Sequence, residues 1–332
     1  NTKTLYGNAN QKYELIGKSP QIEEIKKQLY LIAPKNACVL ITGENGTGKE
    51  VLAHMIHQAS TRSKFPFVAI NCAAIPEELI ESELFGHEKG AFTNAYTQKK
   101  GKFEMAHKGT IFLDEIADMS LKTQAKILRI IQEKKFERLG GQETIEVDVR
   151  IIAATNKNLH TQIKNGAFRE DLYYRLNVIP IHIPPLKERK EDIIPLSEYF
   201  LGVFAIELGE PKKYFTPKAL EALLYYDWCG NVRELKNMIE RLYVLVPKTQ
   251  IDITDLPEPL KSIKIVNTEL NSQTNLTLKQ ARSDFEKTFI LKKLEENDWN
   301  ISKTAESIGI ERSHLHKKLK TYDIDLKNIK EG

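Results

Sequence analysis

Eight consecutive residues, Gly43-Glu44-Asn45-Gly46-Thr47-Gly48-Lys49-Glu50, set three glycines and a lysine between an apolar run, Cys38 to Ile41, and a stretch of helical periodicity beginning near Val51. Phosphate chemistry needs that order. Glycines let the backbone curl until several N–H groups face one anion, a helix N-terminus adds its positive end, and Lys49 can reach the outer phosphates. All eight residues are candidate nucleotide contacts. Glu50 stands where such loops usually carry Ser or Thr, so the metal is expected to be held elsewhere. The bland alternative is a glycine-rich turn with no ligand.

The other half of a nucleotide site needs carboxylates at the end of a neighbouring buried strand, and Thr110-Ile111-Phe112-Leu113-Asp114-Glu115 supplies two. Asp114 suits a magnesium ligand and Glu115 the group that polarises an attacking water, because phosphoryl transfer is mostly positioning and charge neutralisation. Alone, the same acids would equally suit a helix N-terminus.

Positioning these groups asks for strands interleaved with helices. From Gln21 to Ile253 short β-branched runs alternate with longer amphipathic stretches, which predicts a parallel sheet. The runs are Cys38 to Ile41, Phe67 to Ile70, Thr110 to Leu113, Val149 to Ala153 and Val178 to Ile183. Gly140-Gly141 between Phe136 and Val149 predicts an inserted hairpin. Pro184-Pro185 ends the last strand, and Asp192 to Leu208, Pro217 to Tyr226 and Val232 to Val246 read as a small all-α lid. Pro257 to Asn275 reads as a linker, followed by helical Leu278 to Glu296 and Ile301 to Tyr322. The expected organisation is a linker over 1–13, an α/β subdomain over 14–187, the lid over 188–256, a linker over 257–275 and an all-α module over 276–332.

A chain of 332 residues with 41% hydrophobic content can build two or three cores. Its 49 basic and 45 acidic residues leave a net charge of +4, so any DNA contact must be local. Cys38, Cys72 and Cys229 show neither paired nor metal-ligand spacing and read as small core residues in a reducing compartment. No apolar run approaches a membrane span and no signal peptide occupies Asn1 to Tyr13, which predicts a cytoplasmic protein without membrane partners.

These residues carry a resemblance to the bacterial enhancer-binding proteins, the sigma-54-dependent activators related to the nitrogen regulator NtrC. It spans nearly everything from Leu15 to Tyr322, and implies a P-loop AAA+ core acting on ATP with Mg2+. Its strongest mark is Glu83-Leu84-Phe85-Gly86-His87-Glu88-Lys89-Gly90-Ala91-Phe92-Thr93-Asn94-Ala95. It resembles the loop these activators use to grip sigma-54, with Asn94 in place of the usual second glycine. Phe92 between small residues at a loop tip is itself a partner-site signal; a plain surface turn is the alternative.

The resemblance assigns further roles residue by residue. Asn71 resembles the switch that senses the γ-phosphate and communicates with Glu115; by itself it could simply cap a strand end. Thr155 and Asn156, in Ala153-Ala154-Thr155-Asn156, resemble the first sensor. Arg169 and Arg175, in Phe168-Arg169-Glu170-Asp171-Leu172-Tyr173-Tyr174-Arg175-Leu176, are similar to arginines projected into the neighbouring subunit's site; alone, they could pair with Glu170 and Asp171 on a solvated helix. Arg233, in Gly230-Asn231-Val232-Arg233-Glu234-Leu235-Lys236-Asn237, resembles the second sensor, reaching nucleotide from the lid.

At the C-terminal end, Ile301, Ala305 and Ile308 mark one short helix. A turn at Gly309 follows, and Leu315 and Leu319 mark a second helix, the pattern of a helix-turn-helix. Arg312, Ser313 and His314 fall at the base-reading end, while His316, Lys317, Lys318 and Lys320 make the exposed face basic, with the lysines mainly on phosphates. The module resembles a Fis-type domain, in which Leu278 to Glu296 would supply dimerising helices; a basic helix in a small bundle is the plain alternative.

The implied function is a homo-oligomer, dimer to hexamer. It binds upstream DNA and uses ATP hydrolysis to remodel sigma-54 RNA polymerase holoenzyme from closed to open promoter complex. A sensor kinase would act through a receiver domain, which this stretch of sequence does not carry. Two other readings stay open: an ATP-switched DNA-binding regulator that does not engage sigma-54, and a remodelling ATPase acting on another protein, which leaves the helix-turn-helix unexplained.

Overall fold

The computed structural model describes residues 13–93, 95–262, 278–297 and 299–322. By contacts the chain divides into two compact units, Asn1–Ile265 and Val266–Gly332.

In the first unit five parallel strands form one sheet: β1 (Val39–Thr42), β2 (Phe67–Asn71), β3 (Thr110–Asp114), β4 (Arg150–Thr155) and β5 (Ile179–His182), in the order β2-β3-β4-β1-β5. Alternation sorts their side chains. Leu40, Ile111, Leu113, Ile151 and Ala153 enter one apolar cluster, whereas Val39, Ile41, Phe112, Ile152 and Ala154 enter another on the opposite face. Helices α1 (Pro20–Ile32) and α2 (Lys49–Gln58) contribute to the second cluster. The first is built with α3 (Glu77–Phe85), α4 (Lys102–Met105), α5 (Leu121–Glu133), α6 (Leu159–Lys164) and α7 (Glu170–Leu176). Every strand therefore delivers its carboxyl end, and the polar residue that closes it (Thr42, Asn71, Asp114, Thr155 or His182), to one edge of the sheet.

The expected strands are all present, shifted by a residue or two. Cys38 precedes β1 and is only partly buried, and Cys229, expected in a core, is exposed; Cys72 is buried. The predicted hairpin forms from Lys135–Glu137 and Thr144–Glu146, antiparallel.

Helices α8 (Ile193–Leu208), α9 (Pro217–Tyr225) and α10 (Asn231–Leu245) pack into a third core around the fully buried Trp228. Leu260 belongs to the same core, as does Leu256 just before it, so apolar packing extends into the stretch expected as a linker; the rest of that stretch, 263–275, lies outside the described residues. Pro217 at the start of α9 follows Thr216, whose hydroxyl accepts from the Ala219 N–H, a capped start that suits proline.

In the second unit α11 (Leu278–Glu296), α12 (Ile301–Ser307) and α13 (Arg312–Thr321) enclose Ile290, Leu294, Ala305, Leu315 and Leu319. No helix among the described residues is long and apolar enough to cross a membrane.

Candidate functional site: the phosphate loop and its surroundings

The glycines of the loop after β1 are needed where the backbone turns hardest. Gly48 has φ +108 and opens α2, and Gly46, with φ +80, lies so near the lid that an added Cβ would sit 2.3 Å from the Gly230 carbonyl oxygen. Helix α2 begins at Lys49, two residues earlier than its apolar periodicity suggests, which brings the lysine to the helix mouth. Lys49 is buried, donating to the Gly43 carbonyl at 3.0 Å and lying 3.3 Å from Glu115 Oε1. Thr47 is buried too, its hydroxyl donating to the Glu44 carbonyl, while the Glu50 side chain stays largely exposed near His54.

Glu115 occupies a left-handed conformation, φ +52, directly after β3. That turn aims its carboxylate back across the sheet edge, where Oε2 accepts from the Asn156 N–H at 3.0 Å. Asp114 accepts from the Glu115 N–H. Burial, and then the Glu115 charge, hold the Asp114 carboxyl above its ordinary range, with Lys49 opposing. A partly desolvated pair of acids beside a lysine is a place where added positive charge is favoured, so the donor set fits a divalent cation. Among the described residues no cluster of three or more His, Cys, Asp or Glu could hold a metal by itself.

The remaining expected residues divide. Thr155 is buried opposite Thr42, its hydroxyl accepting from the Lys157 N–H, and Asn156 is exposed beside Glu115. Asn71 lies in register with Asp114, but its side chain accepts from the N–H groups of Ala73 and Ala74. It thus caps its own turn, the plainer of its two readings, and does not reach Glu115. Arg169 is likewise occupied, gripping Asp171 with two hydrogen bonds of 3.0 and 2.7 Å, whereas Arg175 is exposed and pairs with no described acid. Each member of the Arg169–Asp171 pair stabilises the other's charge, raising the arginine and lowering the aspartate pKa.

Sequence reasoning missed the residues that tie lid to loop. Asn231, read only as part of a turn, is fully buried and donates to both Glu44 Oε2 and the Asn45 carbonyl at 3.0 Å. Arg189, with 1% of its surface exposed, donates to the Thr47 carbonyl, and the buried Asp192 accepts from the Lys18 and Ser19 N–H groups and the Ser19 hydroxyl. The available signals were an Asn after Gly, which tolerates left-handed angles, and an Arg and an Asp three residues apart at the entry to an apolar helix. Arg233 is exposed and lines an open cavity together with Asn45, Asn237 and Arg241.

The loop at 90–95 stands on a braced base. The Gly90 N–H donates to the Ala95 carbonyl, the Phe92 ring, 40% exposed, packs edge-on against His87 at 4.9 Å, and Gly140 at the hairpin turn abuts Ala91. Arg138 of the hairpin spans Glu88 and Glu104 at 2.8 Å each. Asn94 lies outside the described residues.

Residues 15–182 match the sigma-54 interaction domain, 187–273 the AAA+ ATPase lid domain, and 281–322 the Fis family of bacterial regulatory proteins. The chain belongs to the sigma-54-dependent activators of the NtrC family. It is 48% identical over 315 residues to the regulatory protein AtoC of Escherichia coli, covering 94% of this chain and 68% of AtoC. It is 44% identical to the nitrogen fixation protein AnfA of Azotobacter vinelandii, covering 95% of this chain but 58% of AnfA. The solved structure of NtrX from Brucella abortus in complex with ATP superposes with a TM-score of 0.69 at 39% identity, over 94% of this chain and 69% of that one. As a member of this family the chain carries an AAA+ ATPase core, a helical lid and a Fis-type helix-turn-helix.

In the helix-turn-helix, Arg312, Ser313, His314, His316, Lys317 and Lys320 of α13 are exposed. Lys318 differs from expectation: it is turned toward α11, where it pairs with Glu286, which also accepts from the Tyr322 hydroxyl.

Proposed function

We propose that the loop from Gly43 to Glu50 binds the triphosphate of ATP, with Asp114 holding Mg2+ and Glu115 aligning the attacking water. Magnesium, when bound, would neutralise charge on the phosphates. The chain's own contribution is to orient. Lys49 moves from backbone carbonyls onto phosphate oxygens, Asn156 fixes one Glu115 oxygen, Thr155 and Asn71 line the neighbouring strand ends, and Arg233 approaches from the lid.

In this reading the site is completed by a second copy, whose Arg175, and Arg169 once released from Asp171, would stabilise the transition state across the interface of a homo-oligomeric ring. Turnover moves the Gly90 to Ala95 loop against sigma-54 holoenzyme, while α13 of paired Fis-type modules holds upstream DNA and raises the ring's local concentration. The match to the sigma-54 interaction domain favours this over a switch that never engages sigma-54. A cytoplasmic setting, control by a sensor kinase through a further domain, and subdomain limits of 14–187, 188–256 and 276–332 belong to the same proposal.

The observation that carries the proposal is the buried Lys49 held between loop carbonyls and Glu115. Its test is ATPase rate per chain against protein concentration. The rate should climb as rings assemble; full turnover in a strictly monomeric preparation would exclude a shared site.

A further inference from the structure

Three successive carbonyls of the phosphate loop are held from the lid side. Asn45 O accepts from Asn231 Nδ2 at 3.0 Å, Gly46 O from the Arg233 backbone N–H at 3.3 Å, and Thr47 O from Arg189 Nη2 at 3.0 Å. A trans peptide is planar, and its N–H points opposite to its carbonyl. Fixing these three oxygens therefore aims the N–H groups of Gly46, Thr47 and Gly48 away from the lid, toward the concave side of the loop.

Asn231 is the centre of this grip. Its Oδ1 accepts from the Leu186 N–H at 2.7 Å, on the connection between β5 and the lid, so one side chain joins that connection, the loop and α10. Its backbone is left-handed, φ +54, and donates to the carbonyl of Trp228, itself at φ +48. Two such conformations in four residues persist only where the surroundings over-determine them. Asparagine fits each demand: it tolerates the angle and offers one acceptor and two donors. An aspartate would keep the acceptor but set a second carboxylate against Glu44.

We propose that Asn231 is a positioning residue for nucleotide binding, coupling the lid to the phosphate loop so that the loop's N–H groups face phosphate while the lid is seated. This rests on reading Gly43 to Lys49 as the triphosphate cradle. Lid displacement then loosens the cradle directly, through hydrogen bonds on its outer side and independently of any contact from Arg233 to the nucleotide.

The test measures KM for ATP and kcat in the full chain. Asn231→Asp should raise KM by at least about tenfold, because losing Nδ2 breaks the hydrogen bonds to both Glu44 and the Asn45 carbonyl, and leave kcat nearly unchanged, since Glu115 and its partners are untouched. Adding Glu44→Gln to Asn231→Asp supplies a donor from the opposite side and should bring KM back toward the parent. A merely structural role would lower the melting temperature without this KM pattern. A parent KM in folded Asn231→Asp, or a raised KM that Glu44→Gln leaves in place, would overturn the proposal. If Asn231→Asp does not fold, Asn231→Gly carries the test, because glycine keeps the left-handed backbone while removing the donors to Glu44 and to the Asn45 carbonyl: KM should rise, and an unchanged KM refutes the coupling. Lys49→Ala separates the two levels. Binding of ATP at parent strength in Lys49→Ala would refute the cradle itself, whereas lost binding there beside a parent KM in Asn231→Asp refutes only the grip.

Discussion

Lys49 and Glu115 lie 3.3 Å apart although they follow β1 and β3, strands that β4 separates in the sheet. The contact depends on two backbone features, a helix that starts at the lysine and a left-handed turn that swings the glutamate back. Replacing Glu115 by Gln keeps the shape and the Asn156 N–H contact but removes the charge. Turnover should fall by about 10² to 10⁴, the usual worth of a positioned base, while ATP binding survives. Phosphate release and nucleotide retention on a filter would check both halves, and an unaltered rate would remove Glu115 from the reaction.

Arg175 is exposed with no described acid beside it, whereas Arg169 is engaged by Asp171. Arg175→Ala should therefore be the more damaging change, by about 10³ to 10⁵ if it acts as a finger on a neighbour's nucleotide. Mixing it with Glu115→Gln chains gives the sharper result. Each variant is inactive alone, but in mixed rings some interfaces combine an intact Glu115 with an intact Arg175, and activity should reappear. Mixtures no more active than their components would argue against a site shared between chains.

The lysines of α13 should separate into two behaviours. Lys317→Ala and Lys320→Ala remove exposed charges, so each should weaken DNA binding regardless of sequence and lower the salt slope by about one. Lys318→Ala takes away the partner of Glu286 and should show first as a lower melting temperature of the C-terminal unit. Binding titrations at several salt concentrations, alongside thermal melts, distinguish them.

Glu286 also sets an acid limit. Hydrogen bonds from Lys318, Tyr322 and Arg282 hold its carboxyl down at about 2, against an ordinary value of 4.5. A depressed carboxylate contributes stability that is complete above the unfolded value and disappears as pH falls through the folded one. The melting-temperature gap between the parent and Glu286→Gln should thus be constant from pH 5 to pH 8 and close between about pH 4.5 and pH 2. A gap that persisted at pH 2 would mean that packing, not charge, supplies it.

The sheet was legible because buried strands advertise themselves: Ile111-Phe112-Leu113 and Ile151-Ile152-Ala153 have little choice but to lie between two apolar layers. Gly46 and Gly48 were legible because no other residue serves there. What sequence hid is direction. The order of residues allowed Asn71 to cap its own turn and Arg169 to pair with a nearby acid but did not decide either, and it gave no sign that Lys318 turns inward. Asn231 and Arg189 escaped for a related reason. Their partners are carbonyls 142 to 186 positions away, and a backbone oxygen carries no residue type by which to recognise it.

Arg138, tied to Glu88 at the foot of the 90–95 loop and to Glu104 on α4, makes two insertions into one stiff strut. A strut transmits displacement without dissipating it in bending. Under the proposed function, load met at Phe92 would pass through these two ion pairs to the hairpin and to α4.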